Sequence, residues 1–101
     1  MTQAERMARF AASDLYVVIT ETFCAGRGAL DVLEACLDAG VTLVQCREKD
    51  LDAHEAYAHA LAFRERTAKY GALLIVDDRL DIALAAGADG VVMAEPLAGV
   101  L

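Results

Sequence analysis

Three times in this chain a glycine closes a helix-like segment and an apolar run follows at once. Gly40 precedes "VTLVQC", Gly71 precedes "ALLIV", and Gly87 comes just before "DGVV". Glycine enters the left-handed conformation that ends a helix without a Cβ penalty, and a β-branched run directly after it is strand-forming. A helix–glycine–strand unit repeated in tandem leaves few folds open. The strands "DLYVVIT" (14–20), "VTLVQCR" (41–47), "ALLIVDD" (72–78) and "DGVVM" (89–93) have no polar alternate face. Strands of that kind are covered on both sides, as in a parallel sheet with helical crossovers. The pattern therefore predicts an α/β fold of parallel β/α units with four strands.

The helical segments carry their own signals. "GALDVLEACLDAG" (28–40) aligns Leu30, Leu33, Cys36 and Leu37 on one stripe. In 52–71, Asp52 with Glu55 three residues on resembles a capping box. Ala56, Ala60, Phe63, Thr67 and Tyr70 then step by helical intervals toward Gly71. "RLDIALAAG" (79–87) is a short third helix. Residues 1–14 read as an N-terminal extension, helical or frayed, which Met7 and Phe10 could dock. Residues 15–101 form the β/α unit proper. After Met93, "AEPLAGVL" has no helical period.

Composition narrows the class. With 101 residues, 57% of them hydrophobic and 25% charged, the chain suits one small globular domain. A net charge of −7 argues against a broad nucleic-acid surface. No apolar run approaches the roughly 18 residues of a membrane helix, and the N-terminus lacks an apolar signal core. The expectation is a cytoplasmic protein. Cys24, Cys36 and Cys46 have neither zinc nor redox spacing and read as reduced thiols. Cys24, in a Gly-rich loop, is the one to test for reactivity. His54 and His59, five apart, fall on different faces of the second helix and make a poor metal pair.

Ligand sites in parallel α/β folds lie at the carboxyl ends of the strands. The second strand ends in Gln45, Arg47 and Lys49, which share one parity, while Cys46 and Glu48 take the other. In extended geometry the first three span about 13 Å on one face. An arginine fork and a lysine point charge suit a phosphate or diphosphate. A solvated charged turn is the competing reading. The third strand ends in Asp77, Asp78 and Arg79, and Glu95 follows the fourth. Adjacent carboxylates repel unless a divalent cation or arginine neutralises them. Asp78 is equally suited to cap the next helix, and the two roles are compatible.

As a set, "LYVVITETFCAGR", "AGVTLVQCREKDL" and "LLIVDDRLDIALAAGADGV" resemble the thiamine-phosphate synthase family, whose fold the related thiazole tautomerases share. The resemblance runs from about Leu15 to about Val92. It implies a (β/α)₈ barrel of the TIM type, of which four strands are about half. It also implies thiamine biosynthesis: a transferase that joins a pyrimidine diphosphate to a thiazole phosphate and releases pyrophosphate. Magnesium and basic residues hold the diphosphate in that family. Carried over, the resemblance assigns Gln45, Arg47, Lys49 and Asp77 to substrate, with Arg47 and Lys49 also catalytic, and Asp78 to Mg²⁺.

The departures are specific. Asp77 stands where the family has an asparagine. Leu97 aligns with a second magnesium-ligand aspartate, leaving Glu95 as the substitute. Val92 stands where the family has a histidine, which weighs against a tautomerase. A full barrel takes about 200 residues or more. A half-barrel leaves two open edges, so the expectation is self-association or a covering partner. A non-catalytic module that holds a phosphorylated ligand or pairs with a homologue is the alternative.

Overall fold

In the computed structural model, residues 1–13, 16–20, 26, 28–48 and 51–92 are described. Helix α1 (Gln3–Ala12) leads into β1 (Tyr16–Ile19), followed by α2 (Ala29–Asp38), β2 (Leu43–Cys46), α3 (Ala53–Tyr70), β3 (Leu73–Asp77), α4 (Leu80–Ala86) and β4 (Gly90–Val92). The strands form one parallel sheet in the order β1-β2-β3-β4. Each strand is shorter than its apolar run.

The glycine exits explain the tandem order. Gly40, Gly71 and Gly87 all have positive φ, of 99°, 67° and 73°. In each case the glycine N–H donates to the carbonyl three residues back: Leu37, Ala68 and Leu84. The next residue donates five back: Val41 to Cys36, Ala72 to Thr67 and Ala88 to Ala83. This paired Schellman pattern satisfies the last helical carbonyls and turns the chain directly into the next strand. At the other end of α3, Asp52 Oδ1 accepts the Glu55 N–H at 2.8 Å. A complete capping box forms on α1, between Thr2 and Glu5.

Strand alternation divides the sheet into two faces. The outer face packs on the helices: Ile19, Val44, Cys46 and Leu74 join Leu33, Leu37 and Phe63 in one cluster. Val76 joins Ala56, Ala60, Ile82, Ala83 and Ala86 in a second. The predicted stripe of α3 is buried at Ala56, Ala60, Phe63 and Thr67 but not at Tyr70. Tyr70 lies at the rim, where its hydroxyl donates to Asp38 at 2.5 Å with Glu34 Oε2 3.1 Å away. Those two carboxylates, with burial adding to them, raise the phenol above its ordinary range.

The inner face is built in layers that follow the register. Tyr16, Leu43 and Leu73 form the lowest, and Val18, Gln45, Ile75 and Gly90 form the next. Leu43, Leu73 and Ile75 make a small buried cluster. The central strands are covered on both sides as their apolar runs predict. The edge strands are not: Val18 on β1 is 49% exposed and Val92 on β4 is 40% exposed.

Helix α1 lies across the amino-terminal end of the strands. Its docking differs from expectation, since Met7 and Phe10 remain 60% and 51% exposed. Polar contacts hold it instead. Arg6 Nε meets Asp89 Oδ1 at 2.8 Å, Arg9 donates to the Gly71 carbonyl, and the Ser13 and Thr42 hydroxyls are 3.1 Å apart. Met7 and Phe10 instead line an apolar cleft of about 370 Å³ shared with Tyr16, Leu73, Ile75 and Val92.

Candidate functional site

The uppermost inner layer holds the chemistry. Arg47 follows Cys46, which pairs with Val76, and Asp77 follows Val76 and pairs with Val92. Arg47, Asp77 and Val92 therefore stand abreast at the carboxyl ends of three strands. The Arg47 backbone stays tied to β1, with its N–H donating to the Ile19 carbonyl at 3.0 Å. Its Nε sits 3.9 Å from Asp77 Oδ2. Gln45 lies one layer deeper and is buried, and its Nε2 donates to the Tyr16 hydroxyl. The parity assignment of Gln45 and Arg47 to one face agrees with this layering. Lys49, Glu95 and Cys24 lie outside the described residues.

Asp77 and Asp78 play different parts. Asp77 is buried at the end of β3. Asp78 is exposed and is the one non-glycine among the described residues with positive φ, at 58°. Its N–H donates to the Val92 carbonyl at 2.6 Å, which fastens the turn to β4. The helix-cap reading of Asp78 is corrected here. Helix α4 begins at Leu80 with Arg79 as its N-cap, and the Arg79 side chain makes no capping hydrogen bond. Aspartate tolerates the left-handed region better than most residues, but strained backbone of this kind clusters at functional sites. Arg79 Nε lies 3.5 Å from Asp81 Oδ1. The Ile82 backbone N–H and then Arg79 hold the Asp81 carboxyl below its usual range.

The outward parity carries Cys46 and Glu48. Burial, then Glu48 and Asp77, pushes the Cys46 thiol up to about 12, so it stays protonated and inert. Glu48 Oε1 lies 3.5 Å from His59 Nε2, and the His59 ring tilts against Phe63 with centroids 4.8 Å apart. His54 is exposed, so the two histidines do not converge. Among the described residues no group of three or more histidine, cysteine, aspartate or glutamate side chains gathers to hold a metal. The donors at the rim nonetheless suit Mg²⁺, which takes one or two carboxylates and completes its shell with water and substrate phosphate. Asp78 offers an exposed hard-oxygen donor beside the arginine-bearing layer.

Two features escaped the sequence reading. Tyr16 shares the inner parity with Val18 and could have been placed opposite β2, but its hydrogen bond to Gln45 needs the register. Asp89 is nearly fully buried and accepts from Arg6, Arg64 and the Leu74 backbone N–H. Burial alone would raise its carboxyl, but the Leu74 N–H, Arg6 and Arg64 outweigh it and hold the group below its ordinary value. Its place in "GADGV" gave no hint of two arginine partners.

These observations define a class: consecutive parallel β/α units of a TIM-type barrel with a polar ligand rim at the carboxyl ends of the strands. The family model described as thiamine monophosphate synthase matches residues 15–95, and the chain belongs to that family. A thiamine-phosphate synthase of Caldicellulosiruptor saccharolyticus is 38% identical over 91 residues, covering 90% of this chain and 41% of that protein. One of Moorella thermoacetica is 51% identical over 77 residues, covering 76% and 37%. The solved thiamine phosphate pyrophosphorylase of Pyrococcus furiosus superposes with a TM-score of 0.69 at 36% identity, over 75% of this chain and 36% of that one. The chain thus spans about two-fifths of the length of the curated relatives it matches. No helix among the described residues is long and apolar enough to cross a membrane.

Proposed function

We propose that this chain supplies the pyrimidine-diphosphate half of a thiamine-phosphate synthase site. The observation that carries the proposal is the inward-facing rim holding Arg47 and Asp77, with Gln45 one layer below and Asp78 beside it. Arg47 presents its guanidinium to the diphosphate, and Lys49, two residues further along the sequence, adds a second cation. Gln45, oriented by Tyr16, offers its amide to the substrate from the layer below. Asp77 restrains Arg47 in the absence of ligand. Asp78, with Glu95 as the second carboxylate, holds Mg²⁺. The metal, when bound, neutralises diphosphate charge as the pyrophosphate leaves. Val92 occupies the rim position nearest Asp77 and can move no proton, which disfavours a tautomerase.

The thiazole phosphate needs contacts beyond the four described strands, and the exposed Val18 and Val92 edges need covering. The proposal therefore includes a completing half, either a second copy of this chain or another β/α half. Phosphorylated substrates and free thiols at Cys36 and Cys46 suit a cytoplasmic setting. Gel filtration and calorimetry with the pyrimidine diphosphate, with and without Mg²⁺, test the binding claim. A coupling assay with both substrates tests turnover. Binding without turnover identifies a non-catalytic module, a reading favoured by Leu97 at the second metal-ligand position. Absence of Mg²⁺-dependent binding refutes the site.

A further inference from the structure

We infer that Glu48, seated against His59, is the positioning residue that keeps Arg47 turned into the site, an inference that rests on the diphosphate reading. The last ladder pair of β2 is Cys46, so Arg47 and Glu48 lie beyond the sheet's regular pairing. The Arg47 N–H still donates to the Ile19 carbonyl. What then holds the alternation? Glu48 turns to the helix side and sinks until its side chain is 9% exposed. A carboxylate is not carried that deep without compensation. Its Oε1 lies 3.5 Å from the buried Nε2 of His59, an ion-pair contact when the imidazole is protonated and not a hydrogen bond, and the His59 ring leans on Phe63, which is fully buried. Phe63 shares a cluster with Val44 and Cys46 of the same strand. The contact thus ties the strand end to a rigid part of α3.

The alternation makes this consequential. If the 47–48 segment rolled over by one position, Arg47 would face Phe63 and a carboxylate would enter the anion site. Glu48 opposes that roll because its outward seat has a partner and its inward seat would face phosphate. It touches no substrate in this scheme and acts through the direction of Arg47.

Amide hydrogen exchange by NMR reads the positioning without any ligand. Glu48→Ala should speed exchange at the Arg47 amide by about tenfold or more, as expected for a local opening, while the Val44 amide inside β2 is unchanged. His59→Leu should do the same, and it still decides the matter if Glu48→Ala fails to fold. The double variant should open no further than the stronger single one, because both remove one contact. Calorimetry with inorganic pyrophosphate and Mg²⁺ should show about tenfold weaker binding for either variant, since Arg47 is misdirected. Unchanged Arg47 exchange in both variants overturns the inference. So does unchanged pyrophosphate affinity in variants whose Arg47 amide has opened. A wild-type chain that binds no pyrophosphate refutes the diphosphate reading instead, and the exchange experiment then still decides whether Glu48 fixes the strand end.

Discussion

Asp89 ties together the amino-terminal end of the fold, and replacing it gives a test that depends on three separate contacts. Its side chain is 2% exposed and accepts from the Leu74 N–H at 2.9 Å, Arg6 Nε at 2.8 Å and Arg64 Nη1 at 2.7 Å. A hydrogen bond to a charged acceptor contributes about 1.5–3 kcal/mol. The arginines are a quarter to a third exposed, so solvent screening limits each pair to about 0–1 kcal/mol. Asp89→Ala should therefore cost about 2–4 kcal/mol in urea denaturation at neutral pH. Asp89→Asn keeps an acceptor for Leu74 and should cost about half as much. The pH dependence follows from the lowered carboxyl. A folded pKa below the unfolded value adds stability that is complete above the unfolded pKa and disappears as pH falls through the folded one. The gap between wild type and Asp89→Ala should be flat above about pH 5 and narrow below about pH 4. A loss under about 0.5 kcal/mol, the range of an ordinary surface change, would refute the account. A gap that widened on acidification would refute its electrostatic part.

Other substitutions separate binding from folding. Arg47→Ala should weaken pyrophosphate binding by about 1.5–3 kcal/mol in calorimetry while moving stability by less than about 0.5 kcal/mol, since Arg47 is half-buried and its Nε lies 3.9 Å from the Asp77 carboxylate. Asp78→Gly relieves the φ of 58° and should raise stability by up to about 1 kcal/mol in thermal unfolding, yet abolish the Mg²⁺ dependence of pyrophosphate binding. Gly87→Ala meets no steric obstacle but must hold a φ of 73°, and should cost about 1–2 kcal/mol by urea denaturation.

What was legible in the sequence was whatever depends on local chain geometry. The glycine exits at 40, 71 and 87 announced the tandem units, because a left-handed residue after a helix is a local requirement. Parity alone put Gln45 and Arg47 on one face. The misses are contacts between distant segments. Tyr70 continued the α3 stripe by spacing, but the carboxylates of Glu34 and Asp38 on α2 drew its hydroxyl to the rim. Met7 and Phe10 are the large apolar residues of α1, yet Arg6 and Asp89, 83 residues apart, set its docking. Asp78 has the composition of a helix cap, and only the backbone reveals that the helix starts two residues later. The seat of Glu48 against His59 was likewise invisible, since charge runs look alike whether solvated or tucked under a helix.

The two uncovered edges have a thermodynamic consequence. The exposed apolar residues of the inner face, Tyr16, Val18 and Val92, belong to the outermost strands and not to the centre of the sheet. They lie where an added strand on either side would bury them. Were a second copy to supply those strands, as proposed above, mass action would make the apparent stability rise with protein concentration and the melting temperature fall on dilution.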